Sequence, residues 1–213
     1  MDAKEYIVTE ADTLFSQHGF KSVTMDDIAK HLGMSKKTIY QHFADKNELV
    51  NILIEGKLTT QSCEMREHAE IADNAVHELF LGLADINELL DSLNPKLFYD
   101  LQKYHHTAWL QFKEFKEKKM GENILKNLER GIQEGLYRND LQNDIITQMR
   151  LEQIDLVFNR HDHYTQNKHT LAQVIIEISR HFLYGICNEK GLKLIVKYTS
   201  EPIIAGKTNT HVN

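Results

Sequence analysis

The stretch from Thr24 to Lys46 places the tightest constraint on what this chain can fold into. Its apolar residues recur at helical spacing on both sides of Gly33, a residue type that tolerates the positive φ of a tight turn. Ala29 is small where two short helices would cross, and Ile39 would fill the space between them. A turn of about four residues between such helices is typical of a helix-turn-helix. The same spacing also occurs in ordinary pairs of short core helices.

Capping residues mark the expected ends of these helices. Thr24 and Asp27 form a short capping box for the first helix of the pair, and Ser35 caps the second. A preceding helix is predicted over residues 4–18 because its apolar residues follow one stripe, and Gly19 is expected to end it. The N-terminal region is therefore predicted to contain three helices.

Basic charge is concentrated on the second helix of the pair. Residues 30–46 contain four lysines and one acid, whereas residues 1–23 contain two lysines and four acids. The net charge of the whole chain is −6, which argues against a protein that coats nucleic acid without regard to sequence. A local basic face on a helix that would enter the major groove suits phosphate contacts. The usual alternative for such a cluster is a solvated helix face.

This region resembles the DNA-binding domain of the TetR family, through the pattern T-x-x-x-I-A-x-x-x-G-x-S-x-x-T-x-Y-x-x-F-x-x-K-x-x-L that begins at Thr24 and ends at Leu49. Leu32 departs from the family pattern, which commonly has Ala before the Gly, and this change affects packing rather than DNA contact. The resemblance implies a transcription regulator of repressor type that binds a palindromic operator in double-stranded DNA as a homodimer. In such a dimer the two recognition helices lie about 34–36 Å apart.

The resemblance also implies which side chains meet DNA. The expected phosphate contacts are Thr24, Lys36, Tyr40, His42 and Lys46. The expected readers of base edges are Ser35, Lys37, Thr38 and Gln41. Most of these residues lie on the second helix of the pair, which is the expected recognition helix.

The remainder of the chain keeps helical periodicity without sustained alternation, and the whole chain contains only 2 prolines and 10 glycines. The predicted fold class is therefore all-α, with an N-terminal helix-turn-helix domain joined to a C-terminal helical bundle. We expect a DNA-binding domain over residues 1–47 and an effector-binding and dimerisation domain over 48–198. Residues 199–213 lack periodicity and are expected to form a flexible tail.

Asp45 and Glu48 predict the capped start of a long helix that extends into the high 60s. In the TetR family this helix joins the DNA-binding domain to the regulatory domain. An effector bound in the regulatory domain would tilt the helix and change the spacing of the two recognition helices. That change of spacing is the expected mechanism of release from DNA.

An aromatic segment over residues 98–115 follows a predicted helix start at Asn94-Pro95. Aromatic side chains at helical spacing are suited to the core of a bundle, and they are equally suited to a pocket for a small apolar or amphipathic effector. The candidate lining residues for that pocket are Phe80, Tyr104, Trp109, Phe112 and Phe158.

Two helices near 142–159 and 170–188 are predicted at the end of the C-terminal domain, after a helix over 120–137. The helix near 170–188 is apolar on nearly all sides, and a surface helix needs only one apolar stripe. A homodimer contact through these two helices would cover the second face. The alternative is a central buried helix in a monomer.

Several other functions find no support in the sequence. Histidines 161, 163 and 169 fall in a polar link, and His105 and His106 are adjacent, so no pair has the spacing of a helical zinc site. No catalytic motif is present, and neither a metal nor another cofactor is expected. The polar N-terminus is not a signal peptide and no apolar run could span a bilayer, so we expect no membrane partner and a cytoplasmic protein. A DNA-organising protein or a regulator controlled by a protein partner would share the same fold.

Overall fold

The computed structural model describes the main chain over residues 2–92, 96–159 and 169–200, and the side chains over the same ranges except at 87–92 and 158–159. Every regular element in these ranges is a helix, and one isolated bridge pairs Tyr137 with Cys187. The all-α fold predicted from the sequence is confirmed.

The helices are labelled in chain order over the described ranges. They are α1 (Ala3–His18), α2 (Met25–His31), α3 (Lys36–His42), α4 (Lys46–Ile71), α5 (Ala75–Ser92), α6 (Leu97–Tyr104), α7 (His106–Phe115), α8 (Gly121–Gln133), α9 (Asn143–Asn159), α10 (Leu171–Ile186) and α11 (Glu189–Ser200). A π-helical turn, Lys116–Met120, stands between α7 and α8.

Two predicted boundaries differ from the structure. The helix predicted over 120–137 ends at Gln133, because the chain turns at Gly135, which has a φ of 66°. The last helix continues to Ser200, beyond the predicted start of the tail at residue 199, and residues 201–213 lie outside the described chain. The predicted helix start at Asn94-Pro95 also lies outside it.

The chain divides into two compact units, Met1–Cys63 with Ser92–Lys119 and Glu64–Asp91 with Met120–Asn213. Each unit has its own apolar core. The fully buried side chains of the first unit include Ile7, Phe15, Ile28, Ile39, Phe43 and Leu49. Those of the second unit include Leu128, Leu183, Ile186 and Ile195. Helices α1 to α3 therefore share one core with α6 and α7.

Arg130 on α8 holds the C-terminal end of α4 in the second unit. Its guanidinium donates to the backbone carbonyls of Ala69 (2.9 Å) and Ala72 (2.8 Å), which α4 itself leaves without helical partners. The same group donates to the carboxylates of Glu78 (3.1 Å) and Glu134 (2.7 Å). One side chain thus ties the end of α4 to α5 and α8.

Gly131 provides a test of packing in the second unit. A Cβ atom at Gly131 would lie 2.1 Å from the ring of Tyr137, whose side chain is buried. We expect Gly131→Ala to lower the free energy of unfolding by about 1–3 kcal/mol, since the ring must move in a packed core. Gly82→Ala on α5 is the matched control, because nothing lies within 4 Å of its Cβ position. In denaturant unfolding Gly82→Ala should leave the free energy of unfolding unchanged or raise it. An equal loss of stability in both variants would contradict the close packing of Gly131 against Tyr137.

Candidate nucleic-acid interface

The predicted capping box starts α2. The Thr24 hydroxyl accepts from the Asp27 backbone N–H (3.2 Å), and the Asp27 carboxylate accepts from the Thr24 N–H (2.9 Å). The Thr24 hydroxyl also donates to this carboxylate at 2.6 Å, and that bond is the main cause of the lowered pKa of Asp27. The Thr24 hydroxyl proton is therefore directed at Asp27 in this conformation. A phosphate contact by Thr24 stays a prediction.

The turn between α2 and α3 has the geometry that its residues predict. Gly33 adopts a φ of 64°, in the left-handed region that favours glycine. The Met34 N–H donates to the Ala29 carbonyl at 2.9 Å, which closes the turn. Ala29 and Ile39 are both buried in the core of the first unit. The pair of helices is thus held at a fixed angle.

Ser35 caps the N-terminus of α3. Its hydroxyl oxygen accepts from the Thr38 backbone N–H at 3.1 Å and lies 2.7 Å from the Thr38 hydroxyl. Two of the predicted base readers are therefore hydrogen-bonded to each other at the start of the recognition helix. Both hydroxyls belong to the turn of α3 that carries Lys36 and Lys37.

The outward face of α3 carries side chains that are free to meet a ligand. Lys37 and Gln41 are exposed, and within the described chain neither forms a hydrogen bond or an ion pair. Tyr40 is 43% exposed, with the Lys36 amine 5.9 Å from its ring centroid. Lys36 also pairs with Asp26 at 2.7 Å, but the pair is exposed and weak enough to yield to a phosphate.

His42 lies at the end of the same helix and is half-buried. Its ring centroid is 6.5 Å from that of Phe43, which belongs to the core. His42 is therefore at the edge of the exposed face, whereas Lys37 and Gln41 lie on it.

Lys46 points into the protein in this conformation. Its amine donates to the carbonyl of Phe20 in the loop between α1 and α2, and it lies 5.8 Å from the ring centroid of Phe15. Burial lowers the pKa of this amine, and the nearby Asp100 and Asp27 carboxylates oppose that shift. Direct phosphate contact by Lys46 would require the amine to leave Phe20, so that role stays a prediction.

The start of α4 is capped as predicted, with one difference. The Asp45 carboxylate accepts from the Glu48 N–H at 2.9 Å. The Glu48 carboxylate reaches the N–H of Ala44 at 2.6 Å, one residue before the cap. Both bonds fix the chain between α3 and α4.

Two buried polar residues near the α6–α7 junction contact the loop before α2 and the start of α4, and sequence reasoning missed both roles. Asp100 on α6 is 5% exposed and accepts from the backbone N–H of Lys21 at 2.8 Å. His105, between α6 and α7, places Nδ1 2.7 Å from the side-chain carbonyl oxygen of Asn47 at the start of α4. Asp100 lies among both polar and aromatic residues in this segment, so the order of residue types gave no signal for its contact.

Loss of the Asp100 carboxylate should loosen the loop before α2. We expect Asp100→Ala to lower the free energy of unfolding by about 1–3 kcal/mol, because the Lys21 N–H would lose its acceptor in a partly buried place. DNA affinity should fall as well, since this loop leads into the recognition pair. Asp26→Ala is the control for the unfolding measurement, because its exposed pair with Lys36 contributes little to stability. Denaturant unfolding and a DNA-binding titration measure both effects, and a neutral Asp100→Ala would contradict the contact.

The candidate effector-pocket residues are divided between the two units of the described chain. Trp109 and Phe112 stack with ring centroids 5.5 Å apart in the first unit. Tyr104 is 38% exposed in the same unit. Phe80 belongs to the second unit, where its ring lies 5.5 Å from that of Tyr198, and the side chain of Phe158 lies outside the described residues.

The structure adds little to the other candidate sites. Among the residues that it describes, no group of three or more His, Cys, Asp or Glu could hold a metal ion. Histidines 161 and 163 lie outside that part of the chain, and His169 is exposed. No described helix is long and apolar enough to cross a membrane.

The geometry of α2, the Gly33 turn and the exposed face of α3 defines a helix-turn-helix DNA-binding protein. Comparison with known proteins narrows this class. The model of the family described as bacterial regulatory proteins, tetR family, matches residues 7–53. The matched residues span α1, α2, α3 and the start of α4, so this part of the chain is similar to the DNA-binding domain of the TetR family of transcriptional regulators.

Individual relatives agree with this assignment. Over 181 residues the chain is 28% identical to YvaF of Bacillus subtilis, an uncharacterised HTH-type transcriptional regulator, covering 84% of this chain and 93% of YvaF. Over 142 residues it is 26% identical to the HTH-type transcriptional repressor KstR2 of Mycobacterium tuberculosis, covering 64% of this chain and 70% of KstR2. The structure of FadR from Bacillus subtilis in complex with stearoyl-CoA has the same fold, with a TM-score of 0.65, 21% identity and coverage of 85% and 98%.

Proposed function

We propose that this protein is a repressor that binds a palindromic operator and is released from it by a small apolar or amphipathic effector. Residues 1–47 read DNA in this proposal, and residues 48–198 bind the effector and dimerise. The similarity to KstR2, a repressor, supports the direction of control. The shared fold with FadR, which holds stearoyl-CoA, supports a small-molecule effector.

The observation that carries the effector part of the proposal is the pair of contacts made by Asp100 and His105. They join the aromatic segment of α6 and α7 to the loop before α2 and to the start of α4. A ligand that moves this segment would change the positions of the loop before α2 and of the start of α4. Because α4 begins directly after the recognition helix, a tilt of α4 would alter the spacing of the two recognition helices in a dimer. The free energy that couples effector binding to DNA binding in this way is typically about 1–3 kcal/mol.

An apolar stripe on α9 supports the homodimer. Ile145, Met149 and Leu156 recur on one face of this helix and are 50%, 53% and 43% exposed. On α10 the large apolar side chain that is most exposed is Tyr184, at 49%, while Ile175, Ile176 and Ile178 are half-buried. The dimer contact that we propose is therefore centred on α9, with Tyr184 of α10 beside it. Helix α10 does not expose a second apolar face of its own.

Met149→Arg tests the dimer and its part in DNA binding. We expect the variant to elute as a monomer in gel filtration, since a charge would be buried in an apolar contact. Its affinity for a palindromic duplex should fall at least about tenfold, because two recognition helices bind such a site together. Asp144→Arg introduces the same charge on another face of α9 and should leave both properties close to the wild type. A wild-type monomer, or a Met149→Arg dimer with full affinity, would contradict the proposed assembly.

Release is tested with stearoyl-CoA as the first probe. The labelled upstream region of the gene is bound to saturation, and the loss of fluorescence anisotropy is followed as the probe is added. Loss of the complex at probe concentrations that raise the melting temperature of the protein supports an effector-controlled repressor. Binding of the probe without any change in DNA affinity would contradict control by this probe.

A further inference from the structure

One face of helix α9 carries polar side chains toward the protein, although Leu151 and Val157 of the same helix are also buried. Asn143, Thr147 and Arg150 recur at the i, i+4 and i+7 positions of one face. The Asn143 Oδ1 and Thr147 Oγ1 atoms are buried and form no hydrogen bond. The exposed Met149 and Leu156 lie on the opposite side.

Arg150 is held between α9 and α10 by neutral groups. Its guanidinium donates to the Ser179 hydroxyl at 2.6 Å and to the Gln153 side-chain carbonyl at 3.3 Å. The guanidinium carbon lies 5.0 Å from the ring centroid of Phe182, which belongs to the core of the second unit. The position of this cation is thus fixed from three sides.

No carboxylate within the described chain pairs with Arg150. Burial lowers the pKa of its guanidinium to about 10. Buried charges in proteins are normally paired, because an isolated ion loses its hydration without compensation. A fixed, partly buried arginine for which the described chain supplies no anion is the arrangement expected of a site that takes its anion from a ligand.

Hydrogen-bond donors surround this cation. The Ser179 hydroxyl accepts from Arg150, so its own proton is available, and Ser179 is only 3% exposed. The Thr147 hydroxyl lies one helical turn before Arg150 and lacks a partner. Carboxylates and phosphates accept several such bonds at once, and arginine is well suited to both.

We propose that Arg150, Thr147 and Ser179 bind the anionic head group, a carboxylate or a phosphate, of the small molecule that controls this protein. The proposal rests on the effector-controlled function proposed above and names the chemistry of its ligand. A carboxylate from a second copy of the chain is less suited, because the α9 face assigned to the dimer is opposite Arg150.

The proposal is tested by calorimetric binding of four matched probes to the full chain: dodecanoate, dodecyl phosphate, dodecanamide and dodecan-1-ol. We expect at least one anionic probe to bind at least about tenfold more tightly than the two neutral ones. Arg150→Met should lower the affinity for the anionic probe by at least about thirtyfold and leave the affinity for the neutral probes unchanged. Arg150→Lys should retain part of the affinity. Arg180→Met, on the exposed side of α10, is the matched control and should bind as the wild type does.

A second measurement separates this site from a structural arginine. Without ligand, Arg150→Met should melt at the same temperature as the wild type or higher, because an unpaired buried charge has been removed. A lower melting temperature together with unchanged probe binding would assign Arg150 to packing. Equal affinity for all four probes, failure of both anionic probes to bind, or dissociation of the dimer in Arg150→Met with unchanged probe affinity would each overturn the proposal. Specific DNA binding by the wild type does not depend on any of these results, so the repressor function is judged separately.

Discussion

Arg130→Ala is expected to lower the free energy of unfolding by about 3–5 kcal/mol. The substitution removes every hydrogen bond that the guanidinium makes to the end of α4, to Glu78 and to Glu134. Glu78 is 5% exposed and would remain as a buried carboxylate without its cation. The carbonyls of Ala69 and Ala72 would also lose a donor in a partly buried place.

The loss of stability in Arg130→Ala should depend on pH, because the substitution changes the ionisation of Glu78. Burial already raises the pKa of this carboxyl above its ordinary 4.5, while Arg130 and a bond from Asn127 oppose the shift. Without Arg130 the folded-state pKa rises further. A carboxyl whose pKa is higher in the folded state favours unfolding as the pH rises through 4.5 and above. The difference between Arg130→Ala and the wild type should therefore be smaller near pH 4.5 than at pH 7.

Arg180→Ala is the matched control for this loss. Arg180 pairs with Glu177 on the surface of α10, where both side chains are largely exposed. Its removal should change the free energy of unfolding by less than about 1 kcal/mol. Guanidinium unfolding at both pH values gives the comparison. Equal losses for the two arginines would show that Arg130 does not hold the end of α4.

Gln41→Ala is expected to weaken binding to the operator by about 5–150-fold while binding to random DNA changes little. Gln41 is exposed on α3 and has no partner within the described chain, so its amide is free to form paired hydrogen bonds with a base edge. The substitution should not disturb the fold, because Gln41 packs against no part of the core. The effect therefore reports DNA recognition alone.

Tyr40→Ala should produce a different result on the same helix. A phosphate contact carries no sequence information, so affinity for operator and random DNA should fall together, and the dependence of affinity on salt should become shallower. Lys113→Ala, an exposed lysine on α7, is the control and should alter neither property. Equal losses on operator and random DNA for Gln41→Ala would count against its base-reading role.

The helix-turn-helix could be predicted from sequence because its determinants are local. Thr24 with Asp27 and Ser35 with Thr38 act over three residues, and the positive φ of Gly33 belongs to a single residue. Interactions of such short range can be recognised in the order of residue types alone. The fold class followed in the same way from helical periodicity.

Contacts between distant parts of the chain could not be predicted. The partner of Asp100 is 79 residues away, and that of His105 is 58 residues away. Helical periodicity places residues on a face but does not identify what that face meets. The inward direction of Lys46 and the buried polar atoms of Asn143 and Thr147 on α9 were missed for this reason, since both depend on tertiary packing.

The central claim is that α3 of a homodimer reads a specific palindrome in the DNA upstream of the gene. Competition in fluorescence anisotropy tests it most directly, with that palindromic duplex set against a scrambled duplex of the same length and composition at fixed salt concentration. We expect the palindrome to bind at least about 10³-fold more tightly, as the operators of specific regulators do. Equal affinity for the two duplexes would contradict it.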